Sequence, residues 1–243
     1  MTPDPELAAL SALGGFFVLR TGVPERGPLP TLARAYAHPR SADAPEAHRD
    51  PLTFRVRKVA ARLDAREVRV AASIAHQGLA ARLSSIALGC AVLYGRPPDL
   101  GPELLHWDPD AAAPDDLWLS EVRPSPAGTD AEPLDAVLRV AHLVPLVSAV
   151  AARHRVPERL LWGNAGSALA GAVRMIERWA RAEGRPETAR RARTLAAGLF
   201  TGPGLSGTLD AGTGRRRSCC LYYRLPGGGL CGDCCFDRPP NRR

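Results

Sequence analysis

Five of the six cysteines of this 243-residue chain fall between residues 219 and 235. Cys219 and Cys220 are adjacent, ten residues intervene, Cys231 and Cys234 form a Cys-x-x-Cys pair, and Cys235 follows directly. The run Pro226-Gly227-Gly228-Gly229 separates the two groups. A glycine-rich turn of this kind brings thiols to one place, where they make either a metal site or a disulfide knot. That choice constrains the chain more than any other feature of its sequence.

Zinc ribbons use two Cys-x2-Cys knuckles, because each knuckle turn aims both sulfurs at one ion. Adjacent cysteines make no such knuckle, since in extended chain their side chains point to opposite faces. They serve one site if the backbone turns there, or if the cofactor is wide enough to take them on different atoms. A two-iron cluster is wider than one ion and takes four thiolates. Spacing alone leaves iron–sulfur, zinc and disulfide chemistry open.

The neighbours of the cysteines narrow the choice. Arg217-Ser218-Cys219-Cys220-Leu221-Tyr222-Tyr223-Arg224, then Pro226 to Leu230 and Cys231-Gly232-Asp233-Cys234, closely resemble the C-terminal signature of the FhuF-like ferric siderophore reductases. Those are cytoplasmic proteins that hold a [2Fe–2S] cluster on Cys-Cys-x10-Cys-x2-Cys. The resemblance implies Cys219, Cys220, Cys231 and Cys234 as cluster ligands. Cys235 lies outside the four-residue pattern and reads as a spare thiol. Arg217, Tyr222, Tyr223 and Arg224 form the expected rim, where a substrate would meet the cluster. No catalytic residue beyond the cluster is called for.

Lys58 is the sole lysine, so nearly all positive charge is arginine, and the formal net charge is +7. An arginine-for-lysine bias reflects GC-rich coding and is not by itself a nucleic-acid signal. Residues 213–243 hold Arg215, Arg216, Arg217, Arg224, Arg238, Arg242 and Arg243 against Asp233 and Asp237. This basic excess coincides with the thiolates. Four thiolates on a two-iron core carry about 2− oxidised and about 3− reduced, which nearby arginines offset. Arg242 and Arg243 read as a basic tail. The first residues, Met1 to Glu6, lack a basic leader region, and no apolar run approaches the length of a membrane span. The expected location is cytoplasmic, where clustered cysteines are ligands more often than disulfides.

The rest reads as a mainly α (α+β) protein: a helical body over 1–212 with a small β-sheet, and a cluster-binding segment over 213–243. Helices are expected over Glu6–Leu13, Thr31–Tyr36, Arg55–Arg62, Ala65–Leu93, Glu132–Arg153, from Pro157 onward, and over Pro186–Phe200, from apolar spacing and Pro/Gly stops. Leu104–Trp107 and Leu117–Val122 are strand-like. Asp130 or Thr129 should cap the helix from Glu132, and Pro145 should kink it. Residues 201–214, rich in glycine, read as a flexible link, and Leu221–Arg224 as the most extended part of the cysteine segment. Cys90 and His142 read as packed core residues, His76 as core or surface, and His38 and His48 as solvated. Ser73, Gln77, Arg82 and Ser84 face either a ligand pocket or solvent. Trp107 and Trp118 are pocket or core aromatics.

Two stretches of the body also resemble the family: Val70 to Ile74 with Gly78 to Leu83, like its first core helix, and Trp162-Gly163-Asn164, a sequence that recurs there. Gly163, Gly166 and Gly171 each cost about 1 kcal/mol against alanine inside a helix. Close helix packing, a substrate, or the cluster loop against bare backbone would offset that. Trp162 and Asn164 are therefore candidate substrate-binding residues.

The activity implied is reduction of siderophore-bound Fe(III), with a ferredoxin or flavin-dependent reductase as electron donor. An acidic ferredoxin would dock on the basic rim, more weakly at high salt. There is no Gly-x-Gly-x-x-Gly fingerprint and no P-loop, so no nucleotide cofactor is expected. One rival reading is a colourless zinc-ribbon module whose arginines hold nucleic acid. Another is an iron–sulfur redox sensor, which would need a DNA-reading element, and no convincing helix-turn-helix is present.

Overall fold

A computed structural model describes residues 7, 9–22, 24, 27–39, 45–125 and 130–240. Met1 to Glu6, Thr129 and the tail arginines Arg242 and Arg243 lie outside these residues. The fold is mainly α with one small sheet. After 3₁₀ turns at Leu10–Leu13 and Gly15–Phe17 come helices α1 (Leu32–Tyr36), α2 (Glu46–Arg49), α3 (Pro51–Arg62) and α4 (Val68–Tyr94). Then follow α5 (Ala131–Asp135), a π-helical stretch Ala136–Leu143, α6 (Val144–His154), α7 (Glu158–Ala182) and α8 (Pro186–Leu199).

α4 is the axis of the core. It is apolar on nearly all sides, with small residues such as Ala71, Ala72, Ala80, Ala87 and Ala91 buried among Leu79, Leu83, Ile86 and Leu88. A helix apolar all round belongs inside a protein, surrounded by others. Small side chains let neighbours come close: a Cβ on Gly89 would lie 2.8 Å from Phe17. α4 stops at Gly95, in positive φ, and Arg191 of α8 donates to the Gly95 carbonyl at 2.9 Å. By length and composition Val68–Tyr94 and Ala131–His154 are long and apolar enough to cross a bilayer, which the run-length reading did not register. Of the most apolar window of each, 72% and 44% is buried inside the protein itself.

Arg82 on α4 is withdrawn from solvent and borders a hollow of about 250 Å³ together with Phe16, Arg55 and Trp107. It is fully buried, donates to Asp116 at 2.7 Å and to the Val18 carbonyl at 2.7 Å, and so ties the N-terminal turns to the core. The 3₁₀ turn Gly15–Phe17 gives way at Val18 to extended chain that leads into β1 (Arg20–Thr21). The sheet has order β1-β3-β2, with β2 at Leu105–Trp107 and β3 at Leu117–Leu119. β1 runs parallel to β3 and β2 antiparallel to it, with His106 opposite Trp118. Leu105, Trp107, Leu117 and Leu119 alternate inward onto the core, as period-two strands do. Trp107 is a buried core aromatic, while Trp118 donates to the Asp115 carbonyl.

Asp130 stands at the N-cap position of α5, but its side chain makes no capping hydrogen bond. The interruption expected at Pro145 takes the form of the π turns just before it, where the ring withholds a backbone donor. Within those turns His142 is buried, with its Nε2 2.7 Å from the Leu100 carbonyl and its Nδ1 3.0 Å from the Tyr36 hydroxyl. A carbonyl only accepts, so Nε2 carries the proton and Nδ1 accepts from Tyr36. Cys90 is a core residue, and burial pushes its thiol up to about 12. His38 and His48 are exposed.

Residues 201–214 are not a loose link. Asp210 accepts from the backbone of Gly212 and Thr213, and the Thr208 carbonyl accepts from Arg217 N–H at 2.8 Å. Trp162 covers Gly204, whose positive φ and lack of a Cβ both matter: a Cβ there would lie 2.5 Å from the indole.

Burial pushes the His142 imidazole down from its ordinary 6.5 to about 4. The unfolded chain therefore binds a proton in this window that the folded one refuses. The stability held by the neutral ring is complete above pH 6.5 and is lost as pH falls toward 4. Thermal unfolding midpoints are expected to drop across that range, and His142→Gln to flatten part of the drop. An identical slope in the variant would show that His142 carries none of it.

Candidate metal centre

All six cysteines are free thiols, so no disulfide knot forms. The five C-terminal ones gather in a loop held at both ends. Arg216 N–H donates to the Asp233 carbonyl at 2.9 Å, and Cys234 N–H donates to the Cys231 carbonyl at 3.1 Å, closing the Cys-x-x-Cys turn. The adjacent pair is handled by a turn and not by a strand. Leu221 has φ +69, a left-handed conformation unusual for a branched side chain. A 3₁₀ turn at Tyr222–Arg224 follows. The reversal aims Leu221 N–H at Cys219 Sγ, 3.3 Å away, which is why the extended reading of Leu221–Arg224 does not hold.

Cys220 and Cys234 are buried, and Cys219, Cys231 and Cys235 are half-buried. Burial pushes the Cys219 thiol up to about 11, against the Leu221 N–H that favours thiolate. Cys231 is pushed up by burial and by Cys220 beside it, and Cys235 by burial and Cys234. Thiols crowded this way resist ionising together, and a bound metal reverses that balance by supplying positive charge. Phe236 N–H points at Cys234 Sγ at 3.5 Å. Backbone donors aimed at sulfur are the hydrogen bonds that tune an iron–sulfur centre. Among the described residues no three of these groups converge on a single-ion position.

Beneath the loop lies Arg216, 2% exposed. Its Nη2 donates to the Gly163 carbonyl at 3.1 Å, and its Nε stands 3.6 Å from Asp233 Oδ1. Nε and Nη1 have no hydrogen-bond partner, and neither has Asp233 Oδ2. A buried guanidinium with two idle nitrogens needs negative charge nearby. Four thiolates around a two-iron core supply it, so the residues present fit such a group. In the sequence Arg216 is only one of the arginines in the basic excess of residues 213–243, and its burial has no sequence signal.

The loop rests on the helical body through residues assigned to substrate in the sequence reading. Asn164 is fully buried and donates to the Ser73 carbonyl and Oγ, both at 2.9 Å. Ser73 Oγ in turn donates to the Cys220 carbonyl at 2.8 Å. Asn164 thus positions the cysteine backbone, and Trp162 packs on Gly204. Arg224 donates twice to Glu67 at the start of α4, and Tyr223 stands edge-on to Phe236 at 5.9 Å. Tyr222 and Arg217 are exposed on the rim. His76, on α4, is buried with neither ring nitrogen partnered, and burial and Arg216 push it down to about 3.

A cavity of about 460 Å³ adjoins the loop, walled by the N-terminal turns, α4, α7 and Cys231-Gly232-Asp233. Phe16 and Met175 give it apolar surface, and Gln77 and Ser167 give it polar groups. Of Ser73, Gln77, Arg82 and Ser84, Gln77 alone lines this cavity; Ser73 serves Cys220 and Ser84 is buried.

The three glycines of α7 separate by what they face. A Cβ on Gly163 would lie 1.9 Å from Ser218 Oγ, and one on Gly166 would lie 2.3 Å from Thr208 Oγ1. Both admit the chain leading into the cysteine loop. Gly171 faces the cavity, with only Arg174 Nη2 nearby, at 3.7 Å. Opposite outcomes are expected from one substitution type. Gly171→Ala should gain up to about 1 kcal/mol of helix propensity. Gly166→Ala should lose about 1–2 kcal/mol net by overpacking, because Thr208 Oγ1 is tied to the Leu205 carbonyl. Denaturant midpoints test this, and Thr208→Ala added to Gly166→Ala should recover part of the loss.

The family model described as the FhuF 2Fe-2S C-terminal domain matches residues 216–236. No curated protein matches the chain. The matched segment contains all five clustered cysteines and Arg216, and it takes the cofactor reading from the open choice of zinc, disulfide or iron–sulfur to the [2Fe–2S] cluster. The chain carries a [2Fe–2S]-binding C-terminal domain of the FhuF kind.

Proposed function

We propose that the protein is a cytoplasmic ferric siderophore reductase. In this reading Cys219, Cys220, Cys231 and Cys234 hold the cluster within residues 213–243, and residues 1–212 provide the substrate body. The bound cluster supplies one electron that takes siderophore-held Fe(III) to Fe(II), and a ferredoxin or flavin-dependent reductase restores it. Hard hydroxamate or catecholate oxygens hold Fe(III) well and Fe(II) far less tightly, so reduction releases the iron.

The observation that carries the reading is the cavity wall at Cys231-Gly232-Asp233. A substrate seated there meets a proposed ligand cysteine directly, without intervening helix. The chain's own residues hold this edge in place: Arg216 and Cys231 fix the loop through their backbone bonds, and Asn164 and Ser73 fix Cys220 from below. Arg215 braces the far side by donating to the Cys234 carbonyl at 2.6 Å.

Anaerobically purified protein should show visible charge-transfer bands that bleach with dithionite, and an S = 1/2 EPR signal when reduced. It should then convert a ferric siderophore to ferrous iron, trapped by a ferrous chelator. Cys219→Ser should abolish or alter the spectrum and Cys235→Ser should leave it intact; a native spectrum in the first variant would sink its ligand role. A reduced, EPR-active protein that leaves every ferric siderophore tested untouched would refute the reductase reading.

A second expectation concerns charge. Arg216→Gln removes a buried cation beside a centre that gains negative charge on reduction, so the potential should move lower. Arg216→Lys should restore part of it. A potential unchanged in the Gln variant, measured by redox titration of the EPR signal, would show that Arg216 does not sense the centre.

A further inference from the structure

The cavity beside Cys231 has a charge pattern that the reductase reading leaves unused. On α7, Ser167, Gly171, Arg174 and Arg178 recur at three- and four-residue spacing and line one wall. The guanidinium of Arg174 arches over the bare backbone of Gly171, with Nη2 3.7 Å from where a Cβ would stand. Both arginines are exposed, and among the described residues neither has a carboxylate partner. The one acidic residue of the lining, Asp233, is already set against buried Arg216. Phe16 and Met175, 47% and 38% exposed, line the same cavity and present apolar surface to solvent.

We propose that this cavity binds an anionic ferric chelate built on aryl oxygens, a catecholate type, in preference to a neutral trihydroxamate, with Arg174 and Arg178 as the residues that set the preference. The inference rests on the reductase reading for the chelate's fate, and on the cavity alone for its binding. Three catecholates on Fe(III) leave about 3−, whereas three hydroxamates leave about zero. Flat aryl arms suit a lining of Phe16 and Met175, and sulfur and guanidinium groups both favour aromatic faces. The charge argument also runs the other way. A trianionic chelate approaching Cys231 nears a centre that is itself negative, and like charges close together repel. Two free guanidinium groups on the facing wall offset that repulsion, while a neutral chelate has no need of them. Gly171 keeps the wall open: any side chain there points into the cavity and meets only a flexible arginine.

Gallium(III) replaces iron here as a redox-inert probe, so that binding is read apart from electron transfer. Holoprotein is dialysed at low salt against the gallium complexes of a tricatecholate and of a trihydroxamate of similar size, and bound gallium is measured. The tricatecholate should bind about tenfold more tightly, and the difference should shrink as salt rises. Arg174→Gln/Arg178→Gln should lower tricatecholate affinity more than trihydroxamate affinity and so erase the preference, with the [2Fe–2S] spectrum unchanged. Gly171→Leu should weaken both complexes. Equal binding of the two complexes, a preference for the neutral one, or a tricatecholate preference that survives the double arginine variant would each overturn the proposal. Selective gallium binding with no reduction of the iron complex of either ligand by dithionite-reduced protein would support the cavity assignment and count against the reductase reading.

Discussion

The arrangement depends on one buried cation. Arg216 reaches from the cysteine loop to the Gly163 carbonyl of α7, with two nitrogens left without hydrogen-bond partners. A guanidinium costs several kcal/mol to bury without compensation, so its surroundings must supply charge. Asp233 supplies part at 3.6 Å, and that residue closes the same turn through its carbonyl. Thiolates on a bound cluster would meet the remaining demand. Cofactor and loop are therefore coupled: the cation that holds the loop to the body is the one whose burial requires the centre's negative charge.

Reaching Gly163 demands close approach, and α7 supplies it by omitting side chains. Helix propensity lost at Gly163 and Gly166 is offset by the contacts of Ser218 and Thr208 with the bare backbone. Asn164 sits between these glycines and binds Ser73 on α4, so one turn of α7 both receives the loop and fastens the two longest helices. Trp162 closes the same region by lying on Gly204. The Trp-Gly-Asn sequence is thereby a docking device for the cluster segment, with each of its three residues holding a different piece of chain.

The helices and the cysteine site were legible because their signals are local. Apolar spacing marks α4 and α7, and the strands at Leu105–Trp107 and Leu117–Leu119 follow from short apolar runs between prolines. Cys-Cys-x10-Cys-x2-Cys is a chemical pattern before it is a structural one. What escaped depends on contacts distant in sequence. Asn164 looks the same whether it faces a substrate or Ser73, ninety-one positions away. Arg216 looks like its neighbours Arg215 and Arg217 until burial singles it out. Residues 201–214 have a linker's composition, and are fixed by Trp162 and by Arg217 N–H on Thr208. The extended reading of Leu221–Arg224 failed because the chain reverses directly after the adjacent cysteines, a reversal Leu221 makes in a conformation its side chain disfavours. Gly171, Arg174 and Arg178 did carry a signal, a small residue and two cations on one helical stripe, but it becomes meaningful only with Cys231 on the facing wall.

The positive charges act on different quantities according to their depth. Arg216 is dry, so its field acts at low effective dielectric and bears on the cluster's potential and on the loop's attachment. Arg174 and Arg178 are wet, so theirs is screened by salt and bears on what approaches. The two effects pull against each other in a reductase. A cation that stabilises the reduced centre makes it a weaker donor, while cations at the cavity make an anionic acceptor easier to seat. Placing a single cation within the loop and the others across a cavity lets the potential and the acceptor's affinity vary separately. Substitutions at Arg216 should then move the potential with little change in chelate selectivity, and substitutions at Arg174 and Arg178 should do the reverse. A shared dependence, with both properties moving together in every variant, would mean that the cavity and the cysteine loop form one electrostatic unit.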